Sequence, residues 1–264
     1  MGVINVSPES FYKGSVRNDE EKLIETALRM VEEGASFIDI GGAKSTAPYL
    51  ETQIPVEEEI RRAVWAVKTI RNHVDVPISI DTTNAKVAEE AIKAGADIIN
   101  DVTGLKGDPE MPKVAADYGT PPVVLCAHGE VRNLSDPVRT VMDFLQESLR
   151  IAERHGIEDV AVDPAIGFLR PPEWPPWYVW DSKVIANLNL LKSLGKPILV
   201  GVSRKSFIGA ITGRQDPPSE RLAGSLSATA IAVLKGGADI IRTHDVKETL
   251  DTVKVASFIR KFSP

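Results

Sequence analysis

Eight short apolar runs punctuate the chain, and each ends in polar residues that do not belong in a hydrophobic core. The ends are Asn5 after GVIN, Asp39-Ile-Gly-Gly after SFI, Asp81 after PISI and Asn100-Asp101 after DII. His128 follows VVLCA, Asp163 follows VAV, Ser203-Arg204-Lys205 follows ILVGV, and Arg242-Thr243-His244-Asp245 follows ADII. Helical segments are expected near 20–33, 55–72, 84–94, 109–118, 137–155, 182–194, 219–235 and 246–261. Eight strand–helix units predict an α/β protein, a (β/α)8 TIM barrel, as a single domain over residues 1–264. In that architecture all eight strand ends open on one face, so the polar residues would surround one cavity, as in an active site.

The helix ends support the count. Gly34-Ala35, Gly95-Ala96 and Gly237-Ala238 each close a helix and lead directly into a strand, with glycine supplying the left-handed backbone that stops a helix. Within 20–33, Leu23, Ala27, Met30 and Val31 recur at helical spacing. The strands lack alternation, as expected when both faces are buried. An open doubly wound sheet uses the same units, but the first strand lacks the glycine-rich turn of a dinucleotide fold, and eight even units suit closure. One segment breaks the rhythm: residues 166–181, IGFLRPPEWPPWYVWD, whose proline density predicts a loop without helix. It reads equally as a lid or ring-stacking wall over the sixth strand, or as a surface excursion packed on its own aromatics or an oligomer contact.

Composition excludes several functions. With 31 basic and 37 acidic residues, the net charge of -6 argues against broad nucleic-acid binding, though not against a small anionic substrate. Cys126 is the only cysteine, so no intrachain disulfide forms, which suits a reducing cytoplasm. No apolar stretch approaches the roughly 18 residues of a membrane span, and MGVINVSPESF lacks the pattern of a signal peptide. Paired Cys or His ligands for zinc are lacking, as are a Walker loop and a G-x-S-x-G elbow. A hard cation such as Mg2+ could still bind between substrate phosphates and a carboxamide, with Asn5 the candidate ligand.

Asp81, Asn100 and Asp163 end strands three, four and six, where acid and amide groups can read the N–H edges of a flat heterocycle. Their bland alternative is helix capping, which Asn84 or Thr83 could perform after strand three. Ser203-Arg204-Lys205-Ser206 and Arg242-Thr243-His244 gather cations at strands seven and eight, the frequent phosphate sector of such barrels. His73 and His155 read as surface residues, whereas His128 fits either role.

Taken in order, MGVINVSPESF, IDIGG with Ser45-Thr46, PISIDT, GADIINDV, DPAIGF, PILVGVSRKSFIG and ADIIRTHDV resemble the dihydropteroate synthases of the pterin-binding (β/α)8 family. The resemblance covers nearly the whole chain. It implies a transferase of folate biosynthesis that condenses 6-hydroxymethyl-7,8-dihydropterin diphosphate with 4-aminobenzoate and releases pyrophosphate. It further implies that Asp81, Asn100, Asp163 and Lys205 hold the pterin, with Arg242 stacked on it. Asn5 would meet a Mg2+-diphosphate group; Thr46, Arg242 and His244 would lie near the phosphates, and Phe168, Ser206 and Pro48 near the aminobenzoate. Asp163, Lys205, Arg242 and His244 would carry the catalysis, and two copies would pair as a homodimer through late helices.

Two departures fall at the acceptor end. Ala47 stands where the family motif Ser-Thr-Arg-Pro has arginine, with Lys44 nearby, and Cys126-Ala127-His128 replaces Met-His-Met. A substituted arylamine, such as a ribosyl-aminobenzoate, is therefore one expectation. A methyltransferase of the same family and a non-catalytic pterin binder are the alternatives.

Overall fold

The computed structural model describes residues 1–6, 20–41, 54–118, 122–131, 135–169, 176–214 and 217–262. Six strands lie parallel in sequence order: β1 (Gly2–Asn5), β2 (Ile38–Gly41), β3 (Ile78–Asp81), β4 (Ile98–Asp101), β5 (Val123–Cys126) and β6 (Val160–Asp163). A parallel pair, β7 (Leu199–Val200) and β8 (Ile240–Ile241), bridges the remaining gap. Val162 pairs with Ile198 on one side, and Gly2 pairs with Thr243 on the other. The second seam is held by Val3 N–H to Thr243 O (2.9 Å) and Thr243 N–H to Met1 O (3.0 Å). The eight strands therefore close, and the open-sheet alternative is excluded.

Alternation sorts the side chains. Every second residue points into the barrel, and the rest pack on the surrounding helices. Ile98, Val124 and Leu199, with Met1, Phe37, Ala161 and Ile240, form an apolar plug inside. Outside, α1 (Glu20–Glu32) buries Leu23, Thr26, Ala27 and Met30, while Val31 is only partly covered. Helices α2 (Val56–Arg71), α3 (Ala85–Lys93), α4 (Met111–Asp117) and α5 (Pro137–Arg154) fall close to their expected places. Asn84 caps α3, its side chain accepting from the backbone N–H groups of Lys86 and Val87. Gly34 and Gly95 take the left-handed backbone as expected. At the third such turn that role falls to Gly236, and Gly237 is needed for space instead, since a Cβ there would stand 2.1 Å from Leu188 Cβ.

Three expectations fail in the second half. Helix α6 (Trp177–Ala186) begins inside the segment assigned to loop, because the prolines end at Pro176 and proline is compatible with a helix start. Trp180 of α6 belongs to the core, being 1% exposed. The helix expected over 182–194 divides: α6 stops at Ala186, and a 3-10 helix over Leu188–Leu194 runs to the left-handed Gly195. A short helix, α7 (Ser206–Thr212), follows β7 and was not expected, since seven residues are too few to establish a period. Then come a 3-10 turn at Pro218–Glu220, α8 (Leu222–Leu234) and α9 (Val246–Arg260).

Candidate active site

Above the apolar plug the barrel interior turns polar. Asp39 points inward from the middle of β2, and Asp81, Asn100 and Asp163 do so at the ends of β3, β4 and β6. Arg242 enters from the end of β8. Its Nε donates to Asp39 Oδ2 at 2.6 Å, and its Nη2 donates to Asp81 Oδ2 at 2.7 Å. Burial works against the guanidinium charge, but Asp39 and Asp81 outweigh it, and the arginine is held more firmly protonated than usual. Asn100 Nδ2 lies 3.4 Å from both oxygens of Asp39, completing a buried acid–amide–arginine ring.

Asp163 and Lys205 occupy the adjoining sector. Asp163 accepts the Ala165 N–H at 2.7 Å within a turn whose Ala165 has φ +61°. Burial pushes its carboxyl above the ordinary range, while the Ala165 bond and the charges of Lys205 and Arg242 pull the other way. Lys205 Nζ lies 3.9 Å from the Phe168 ring centroid, a cation–π contact. Burial and the nearby Arg242 bring its ammonium down to about 8, with Asp163 opposing. Gly167 gives the lysine room, because a Cβ there would sit 3.1 Å from Lys205 Cδ. Ser206 is the first residue of α7, immediately after Lys205.

His244 stands beside these cations. Its Nδ1 is 3.0 Å from Ser203 Oγ, and its backbone N–H reaches the same oxygen at 3.2 Å. Burial, reinforced by Arg242, Arg204 and Lys205, lowers its imidazole to about 3, so the ring is neutral. Asn5 closes the mouth at β1, with its Oδ1 against Gly41; a Cβ on that glycine would lie 1.9 Å from it. Among the described residues no group of three or more His, Cys, Asp or Glu is arranged to hold a metal.

The ring brings together Asp81, Asn100, Asp163, Phe168, Lys205, Arg242 and His244, while Ser206 is placed only as the neighbour of Lys205 at the start of α7. Thr46, Lys44, Ala47 and Pro48 lie outside the described residues. Arg204 leaves the basic cluster. Held at φ +55°, it turns to Asp245, with Nε to Oδ2 at 2.9 Å and Nη2 to Oδ1 at 2.5 Å. Its Nη1 donates to the carbonyls of Pro218 and Ser219. Asp101 also leaves: it faces outward and accepts from the Thr103 and Leu105 backbone. His73, His155 and His128 are exposed, the last with its imidazole lowered by partial burial and by Lys106. Asp39 was missed. Its signal was available, since a charge flanked by Ile38 and Ile40 in a wholly buried strand must have a partner.

A closed barrel with this polar mouth defines a class of small-molecule enzymes, and comparison narrows it. The family model described as pterin binding enzyme matches residues 1–244. The dihydropteroate synthase of Clostridium beijerinckii is 39% identical over 263 residues, covering 98% of this chain and 93% of its own. Two solved structures of the Xanthomonas albilineans dihydropteroate synthase are similar throughout. The one with 4-aminobenzoic acid has a TM-score of 0.86 at 37% identity, covering 100% of this chain and 93% of that one. The one in complex with 7,8-dihydropteroate has a TM-score of 0.84 at 35% identity, covering 100% and 94%. The chain belongs to the pterin-binding enzyme family, and it is a transferase of the dihydropteroate synthase kind.

Proposed function

We propose that the chain condenses 6-hydroxymethyl-7,8-dihydropterin diphosphate with 4-aminobenzoate. The C–O bond between the exocyclic CH2 and the diphosphate breaks, the arylamine nitrogen bonds to that carbon, and the amine loses a proton. Pyrophosphate departs with the electron pair, and no protein nucleophile takes part. The observation that carries this reading is the ring of Asp39, Asp81, Asn100 and Arg242 beside Asp163 and Lys205. Such a ring is complementary to a flat, nitrogen-rich heterocycle that becomes cationic as the leaving group departs.

Each residue has a part in this scheme. Asp163 accepts ring N–H groups and balances developing positive charge, and Asn100 reads the ring edge. Lys205 donates to ring acceptors while Phe168 shields it. Arg242, with its edge occupied by Asp39 and Asp81, offers a face for stacking and charge toward the diphosphate. Asn5 and the substrate phosphates would hold Mg2+, which supplies charge neutralisation for the leaving group. Thr46 and Pro48 belong to this reading by resemblance, near the phosphates and the aminobenzoate respectively.

The acceptor end supports a second reading, in which the arylamine is substituted. Ala47 replaces the family's arginine, and His128 is exposed at the end of β5. Pyrophosphate release with a panel of arylamines decides between the two. Release with none of them, despite uptake of the pterin diphosphate, would leave only a non-catalytic binder; uptake of a methylated, phosphate-free pterin instead would favour the methyltransferase.

Two copies would pair through α8 and α9. Ile231, Val255, Phe258 and Ile259 are each about half exposed or more, and Ile231, Val255 and Ile259 border a cavity of 430 Å³. Among the described residues no helix is long and apolar enough to cross a membrane, and the reduced, buried Cys126 suits a cytoplasmic location.

A further inference from the structure

We infer that Ser203 is a positioning residue that fixes His244 in the tautomer carrying its proton on Nε2. The His244 backbone N–H can only donate, so it takes one lone pair of Ser203 Oγ at 3.2 Å. The same oxygen lies 3.0 Å from His244 Nδ1. Among the described residues, Ser203 Oγ makes these two contacts and no others. If Nδ1 also donated, the hydroxyl hydrogen of a buried serine would have no acceptor, a costly arrangement. The hydroxyl therefore donates to Nδ1, and the neutral ring must carry its hydrogen on Nε2.

The consequence is chemical. A neutral Nε2–H donates a hydrogen bond without adding a further charge beside Arg242 and Lys205, and it suits an oxygen of a departing diphosphate. That use rests on the transferase reading above; the tautomer does not.

Long-range proton–nitrogen correlation on the whole chain, labelled with 15N-histidine and free of ligand, reads the tautomer directly. The His244 signals are those missing from His244→Phe. Wild type should show Nε2 protonated and Nδ1 bare. Ser203→Ala should give a mixture or the opposite tautomer, and Ser203→Thr, which keeps the hydroxyl, should restore the wild-type pattern. With a hydrogen bond to a charged group weakened, KM for the pterin diphosphate should rise about tenfold in Ser203→Ala, with KM for the arylamine unchanged. A protonated Nδ1 in wild type, or a Ser203→Ala spectrum identical to wild type, overturns the inference. A changed tautomer with unchanged KM overturns its role toward the diphosphate. Absence of pyrophosphate release from wild type would defeat the transferase reading alone, because the spectrum is measured without turnover.

Discussion

Arg204 and Arg242 sit at the ends of neighbouring strands, both paired with aspartates, yet they do opposite work. Arg242 points into the barrel and bridges Asp39 and Asp81 across its mouth. Arg204 points outward, ties the loop after β7 to Asp245 after β8, and holds the carbonyls of Pro218 and Ser219. Residue type is therefore a poor guide to role in a barrel; side-chain direction decides whether a cation meets substrate or fastens loops. Arg204 serves the site at one remove, because Lys205 follows it and His244 precedes its partner Asp245.

The largest effect should come from Arg242→Met. It strands two buried carboxylates, and breaking a buried ion pair costs about 3–5 kcal/mol. Denaturant unfolding should show that loss, and pyrophosphate release should fall to background. Unchanged stability would mean that these charges do not form a buried network.

Arg204→Met comes next and separates the two arginines. Stability should fall by less, since Asp245 keeps some solvent, and kcat/KM should fall through misplacement of Lys205 while measurable turnover remains. Arg204→Lys should not repair it, because lysine lacks the fork that grips Asp245. Loss of all turnover in Arg204→Met without unfolding would place that arginine at the substrate.

Lys205→Ala and Asp163→Ala should abolish pterin binding by titration calorimetry with little loss of stability, whereas His155→Ala should leave binding unaltered. The lysine also sets a pH dependence. With its ammonium lowered to about 8, it is charged below that pH and neutral above it. If pterin binding needs the charged form, kcat/KM should decline as pH rises through about 8. Residual activity in Lys205→Arg should lack that limb. For stability the sign is opposite: between about 8 and its ordinary 10.5, the unfolded chain binds the proton that the folded one has lost. Wild type should therefore gain stability over Lys205→Met across that window.

The smallest effect is expected from Asn84→Ala. It removes the cap of α3 and should cost about 1 kcal/mol by unfolding while leaving kinetics alone. A kinetic defect there would mean that the turn after β3 orients Asp81.

Much of the barrel was legible because its signals are local. Short apolar runs, helical stripes and glycine turns each report on a few neighbouring residues, and Asp81, Asn100 and Asp163 announced themselves as polar residues closing buried strands. The errors lay where local signals were weak or misleading. Proline marked a helix start at Pro176 in place of a loop, α7 was too short for periodicity, and Asp39 stood one layer below the strand end.

Chain order by itself determined the eight units, their parallel direction and the face on which their polar ends gather. Tertiary structure alone decided which charges meet. The partnership of Asp39 with Arg242, 203 positions apart, exists only because the barrel closes. The physical reason is alternation combined with closure. A one-residue shift of strand register exchanges inside for outside, and only the completed ring of strands brings β8 across from β2 and β3.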